Sequence, residues 1–179
     1  MIASHSPIFS VGRLDIMIET ERLFIRPLGS EDWRSMQAIA ADFQKSQYAV
    51  YDMPLPTEEQ EIKALTKVFA DTGLFFAVLL DSVMIGYVCF HEDNGNYDLG
   101  YCFHSDYQGN GYAYESCTAM MEYMAKERDV EFFTAGTALD NKPSCKLLEK
   151  LGFVCISTET VSFDNTFSFQ GGNFELHIK

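Results

Sequence analysis

The sequence predicts a single mixed α/β domain, an α+β arrangement on a mostly antiparallel sheet. Three observations lead there. Segments with strand-like alternation and segments with helical spacing follow one another in the order β-α-α-β-β-β-α-β-α-β-β. The three central strand segments are consecutive and joined by short turns, which suits hairpins and not a doubly wound parallel sheet. The 179 residues are 47% apolar and 14% aromatic, enough for one domain with a real core.

Each element has a local reason. Glu21–Pro27 alternates and is stopped by Pro27. Ser30 is placed to cap a helix bearing Trp33, Met36, Ile39 and Ala40 on one face. Residues 44–56 read as a loop, and Thr57-Glu58-Glu59-Gln60 as a capping box. The helix it opens would bury Ile62, Leu65, Val68 and Phe69 and end by Gly73. Phe75–Leu80 and Met84–His91 form a hairpin through Asp81-Ser82, and Asp93–Asn96 turns into a strand over 97–104. The next helix would bury Ala113, Cys117, Met120, Met121 and Met124. A strand over 131–137 then precedes a helix opened at Asp140 or Asn141, with Pro143 in its first turn and Gly152 at its end. Closing strands are expected at 153–160 and 173–178, around a polar loop at 162–172. Residues 1–16 read as an extension before a domain spanning 17–179.

Bulk charge narrows the function. Thirteen basic against 26 acidic residues give −13, which argues against nucleic acid and anionic membrane surfaces. A negative field favours a cationic substrate such as an amine, and equally serves solubility. The five cysteines include no CxxC pair, so neither a disulfide framework nor a metal site is expected, and the cytoplasm is the expected compartment. No apolar run reaches membrane-spanning length.

The turn Gln108-Gly109-Asn110-Gly111-Tyr112-Ala113 lies between a strand and a helix, where free backbone N–H groups favour a phosphate or pyrophosphate. A dinucleotide fingerprint would need Gly at 114, where Tyr114 stands, and no P-loop pattern exists. A plain structural turn is the remaining reading from the turn alone.

Asn141-Lys142-Pro143-Ser144, leading to Lys150-Leu151-Gly152-Phe153, adds a second constellation. With Gln108, Gly111 and Ala113 it resembles the two signatures of the GCN5-related N-acetyltransferases (GNAT). Thr20-Glu21-Arg22-Leu23, Arg26-Pro27-Leu28 and Gly100-Tyr101 are similar to the branch of ribosomal-protein alanine acetyltransferases. The resemblance implies an acyl-CoA N-acyltransferase fold with a V-shaped splay between strands near 101–105 and 132–136. It implies acetyl-CoA as co-substrate, no metal, and a protein N-terminus, polyamine or small amine as acceptor. A homodimer stays open, and a non-catalytic acyl-CoA-binding module is the alternative.

Roles follow from the same resemblance. Gly109, Asn110, Gly111, Tyr112 and Ala113, after Gln108, would hold the pyrophosphate with backbone N–H groups. Backbone groups of Cys102, Phe103 and His104 would pair with the pantetheine arm as an added strand does. Asn141 would reach the pantetheine or the thioester end. Asp98 stands where relatives carry a glutamate base. Ser144 replaces the tyrosine that many relatives use as the acid, since Leu147 and Leu148 occupy that stretch. The acceptor would lie between loop 44–56 and residues 160–173, with Trp33, Tyr48 and Tyr51 framing an amine. Cys145 as a nucleophile is rejected, as no His is near it in sequence.

Overall fold

The hairpins and crossovers written into the sequence close one sheet in this computed structural model, which describes residues 16–93, 95–128, 130–162 and 167–178. The strands are β1 (Ile18–Glu19), β2 (Phe24–Pro27), β3 (Phe75–Leu80), β4 (Val83–Asp93), β5 (Asn96–Phe103), β6 (Phe132–Ala138), β7 (Val154–Ser162) and β8 (Ser168–His177). The helices are α1 (Trp33–Phe43), α2 (Glu59–Thr72), α3 (Tyr112–Arg128) and α4 (Lys142–Leu151). The spatial order is β1-β2-β3-β4-β5-β6-β8-β7. Every neighbouring pair is antiparallel except β5 and β6.

Both faces of the sheet are covered because its strands carry apolar residues on both. On one face Phe76, Phe90 and Phe133 pack with Met120 and Met124 of α3 and Leu148 of α4. On the other, Phe75, Ala77 and Cys89 meet Met36 of α1 and Ile62 of α2. Each large side chain taken fully from water contributes about 1.5–3 kcal/mol, so these two layers hold the frame on which the site is built.

The parallel pair matters most. Cα partners between β5 and β6 are confined to Tyr97↔Phe133 and Asp98↔Thr134. Beyond them the strands part, leaving Leu99–Phe103 of β5 and Ala135–Ala138 of β6 as the arms of a V. The expected opening at 132–136 therefore begins later on β6, since Phe133 and Thr134 carry the pairing.

Local details differ from the sequence expectations. Ser30 starts a short 3-10 turn and does not cap α1; Asp32 reaches back instead, its Oδ2 accepting the Gly29 N–H at 2.8 Å. No side chain caps α2 at Glu58, so the Thr57–Gln60 box does not form. Val68 is 59% exposed, and Thr66 takes the inward place by donating its hydroxyl to the Ile62 carbonyl at 2.7 Å. A hydrophobic spacing thus misjudged one position because a threonine can satisfy its own hydroxyl within the helix. β8 begins at Ser168, inside the expected 162–172 loop. Of that loop, 163–166 lie outside the described residues, as do 1–15 of the expected extension and Asn94 of the 93–96 turn.

Candidate active site

Five residues of β5, Leu99–Phe103, pair with β4 on one side but have no partner on the β6 side, and they form one wall of a cleft of about 1000 Å³. At its end the chain turns through a 3-10 segment, Ser105–Tyr107, into the glycine turn and α3. Asp42 of α1 pins that segment: its carboxylate accepts the Ser105 N–H at 2.7 Å and the Ser105 hydroxyl at 2.8 Å. Burial pushes the Asp42 carboxyl up, but these bonds, with His104 and Lys45 nearby, hold it below its ordinary range.

The turn is shaped for an anion. Gly109 has φ +77° and Gly111 φ +84°, a region where L side chains are strained. Among the described residues no protein acceptor meets the N–H groups of Gly109, Asn110 or Gly111, and the first N–H groups of α3 have no intrahelical partner by construction. A Cβ on Gly109 would meet nothing within 4 Å, so this face of the turn is bare. The turn is held from within. Gln108 Nε2 donates to the Phe103 carbonyl at 2.8 Å, and Asn110 Nδ2 donates to the carbonyls of Gln108 (3.1 Å) and Tyr107 (3.3 Å).

Across the cleft, Asn141 caps α4, its Oδ1 accepting the Ser144 N–H at 3.3 Å. Tyr101 of β5 and Ser144 of α4 share a hydrogen bond of 2.8 Å between their hydroxyls. Burial pushes Tyr101 ionisation far above the usual tyrosine range, with Ser144 opposing weakly. The phenol is therefore held in its neutral form, able to donate to or accept from the Ser144 hydroxyl. Burial likewise pushes the Cys102 thiol, in the cleft wall, up to about 12, and raises that of Cys145. Neither sits in the electropositive setting that makes a cysteine a nucleophile.

A second cavity of about 240 Å³ adjoins the first, sharing Phe43, Tyr48, Asp52, Gly136, Thr137 and Asn141 with it. Loop 44–56 and the β7–β8 hairpin complete it through Tyr51, Phe169 and Glu159. Tyr51 and Phe169 rings meet edge to face at 5.0 Å. Glu159 accepts from Asn173 Nδ2 at 3.2 Å. Among the described residues no Lys or Arg lines this cavity. Asp52 is exposed as a residue, yet the protein around its carboxyl raises its pKa by desolvation, against one bond from the Met53 N–H.

The expected site residues are thus partly gathered. Cys102, Phe103, Gln108, Gly109, Gly111, Tyr112, Ala113, Asn141 and Ser144 line the cleft; Tyr48 lines both cavities and Tyr51 the second. Asn110 braces the turn from outside the lining. His104 is also outside it: its N–H donates to Ile85 at 3.0 Å and its Nδ1 accepts the Asp106 N–H at 3.3 Å. Asp98 lies at the apex of the V, one oxygen accepting the Thr134 hydroxyl at 2.9 Å, and lines neither cavity. Trp33 lines neither cavity, its ring flanked by Arg34 and Lys63 at 4.3 and 4.2 Å. Sequence reading missed Asp52, whose place depends on a loop without periodicity, and the hydroxyl role of Tyr101.

Residues 22–154 match the family model described as "Acetyltransferase (GNAT) domain". The chain belongs to the GNAT acetyltransferases. It is 30% identical over 139 residues to an uncharacterized N-acetyltransferase, YnaD, of Bacillus subtilis (strain 168), covering 75% of this chain and 81% of that protein. Its fold is similar to a GNAT-family acetyltransferase from Bacillus anthracis, with TM-score 0.78 and 23% identity over 90% of this chain and 98% of the other. It is also similar in fold to RimL, a ribosomal L7/L12 alpha-N-protein acetyltransferase solved with coenzyme A. That match has TM-score 0.81 and 16% identity, over 91% of this chain and 98% of the other. As a GNAT member the protein is an N-acetyltransferase. No group of three or more metal-ligating side chains occurs among the described residues, and no described helix is long and apolar enough to cross a membrane.

Proposed function

We propose that the protein moves the acetyl group of acetyl-CoA to a cationic primary amine by direct attack while both substrates are bound. The observation that carries this reading is the meeting of the two cavities. One offers an unpartnered strand edge and an anion-receiving turn. The other offers aromatic rings and two carboxylates, with no Lys or Arg lining it among the described residues.

The cleft fits coenzyme A. Its turn has free N–H groups for a pyrophosphate, its β5 edge can accept a pantetheine arm as an added strand, and its volume suits a large ligand. Acetyl-CoA supplies a thioester carbonyl open to attack by an amine. The N–H groups of Gly109–Ala113 hold the pyrophosphate, the backbone of Cys102 and Phe103 aligns the arm, and Asn141 orients its reactive end.

Acceptor chemistry falls to the second cavity. Tyr48, Tyr51 and Phe169 favour a cation by their ring faces, and Asp52 and Glu159 repel an anionic acceptor. Asp52, in the wall common to both cavities, takes the ammonium proton, its raised pKa suiting a base. Ser144 faces the leaving sulfur with a hydroxyl whose oxygen is supported by Tyr101. Asp98 is a second candidate base, acting through water, because Thr134 fixes only one of its oxygens at the apex of the V.

An acetyl-CoA consumption assay over a panel of amines tests the reading. Diamines, polyamines, basic N-terminal peptides and acidic amines are compared. Release of the coenzyme A thiol with cationic acceptors is expected. Tight acetyl-CoA binding with no turnover of any amine would favour a binding module, and thermal stabilisation by NAD but not coenzyme A would overturn the donor assignment.

A further inference from the structure

The Thr20-Glu21-Arg22-Leu23 segment has no place in the chemistry above, yet it is tied to the glycine turn by an unusual number of bonds. Glu115, in the first turn of α3, is their hub. Its Oε1 accepts the Thr20 hydroxyl at 2.6 Å and the Arg22 N–H at 3.0 Å. Its Oε2 accepts Arg22 Nε at 2.8 Å and pairs with Nη2 at 2.6 Å. The other arm of the same guanidinium, Nη1, donates to the Asn110 carbonyl at 3.0 Å. The guanidinium lies over the Tyr112 ring at 4.7 Å, and Nη2 would stand 3.4 Å from a Cβ on Gly111. Burial pushes the Glu115 carboxyl up, but the bonds from Thr20 and Arg22 outweigh it and hold it below its ordinary range.

We propose that Arg22 is a positioning residue for the donor pyrophosphate, acting through Glu115 and Asn110 behind the turn. The proposal rests on the reading that this turn holds coenzyme A. Two physical effects combine. The fork of Arg22 ties the Asn110 carbonyl to the first turn of α3, which keeps the N–H groups of Gly109–Ala113 directed into the cleft. It also neutralises Glu115. A carboxylate in the first turn is favoured by the helix dipole, but it would compete with and repel a pyrophosphate arriving at the same N-terminus. Arg22 lets Glu115 anchor the outer strand while leaving the helix end receptive to a second anion. Arg22 does not line the cleft, so it acts on the phosphate only through the turn and its charge.

The test compares a donor that has the pyrophosphate with one that lacks it. Arg22→Met should weaken acetyl-CoA binding by about tenfold, measured by calorimetry, while the KM for acetyl-pantetheine stays within about twofold of wild type. Arg22→Lys should fall between, because a lysine keeps the charge and loses the fork. The double variant Arg22→Met/Glu115→Gln should bind acetyl-CoA more tightly than Arg22→Met alone, because the uncompensated carboxylate is gone. Unchanged acetyl-CoA affinity in Arg22→Met and Arg22→Lys would overturn the proposal. So would equal losses for acetyl-CoA and acetyl-pantetheine, or a double variant weaker than the single one, since those describe a merely structural brace. Failure of the wild type to bind acetyl-CoA at all would sink the donor reading instead.

Discussion

The proposed donor and acceptor halves of the site are made from different materials. The donor half is mostly backbone: N–H groups of a turn set by two glycines, the free edge of β5, and a helix capped by Asn141. The acceptor half is side chains brought from far apart, with Tyr48, Tyr51 and Asp52 from a loop facing Glu159 and Phe169 from the terminal hairpin. A backbone site constrains residue type at fixed spacing, so it leaves a motif. A side-chain site only needs its walls to meet in space, and can change its chemistry without disturbing the fold.

The sharpest way to break this contrast is a substitution that reshapes backbone alone. Gly111→Val puts a β-branched residue at φ +84° beside Arg22. Acetyl-CoA affinity should fall by about a hundredfold, alongside a drop of several degrees in the thermal midpoint from the strained backbone. A loss of less than threefold would mean that the turn does not hold the donor.

The acceptor half should respond in the opposite sense. Asp52→Asn should lower kcat by about a hundredfold or more with acetyl-CoA affinity retained. If Asp98→Asn does so instead, the base lies at the apex of the V and reaches the amine through water. Next in size, Ser144→Ala and Tyr101→Phe should each lower kcat by about tenfold at unchanged acetyl-CoA affinity, and the pair together by little more than either. Glu159→Lys should raise the KM of a diamine by about fivefold and that of a monoamine less, which separates specificity from chemistry.

The smallest effect is on acid stability. Asp42 and Glu115 both have folded pKa values below their ordinary range. Their contribution is fully present above the unfolded values, about 3.9 for Asp and 4.3 for Glu, and is lost as pH falls through the lower folded ones. Asp42→Asn should therefore narrow the stability gap between pH 6 and pH 3, followed by urea melts. An unchanged acid limb would mean that the Ser105 clamp is idle.

Much of the fold was legible because strand alternation, the two turn glycines and the Asn141 cap act over a few residues. Errors came where a competing contact intervened. Asp32 displaced Ser30 as the start of α1, and Thr66 bonded to its own helix and took the inward place. The cleft's backbone-lined side left a motif in the sequence and the second cavity's side chains did not, for the reason given above. Trp33 lines neither cavity because it opens α1, whereas Ala40, Asp42 and Phe43 toward the other end of that helix line the cleft. Asp52 went unseen because loop 44–56 has no periodicity to mark which of its side chains face the cavities.

In the proposed reaction donor and acceptor occupy adjoining cavities at once, with no acetylated enzyme between. Initial rates over a grid of acetyl-CoA and amine concentrations test it most directly. Intersecting double-reciprocal lines are predicted, with no mass gain when the protein meets acetyl-CoA alone, in keeping with a Cys102 thiol held up near 12. Parallel lines, with one acetyl group trapped on a cysteine, would contradict it.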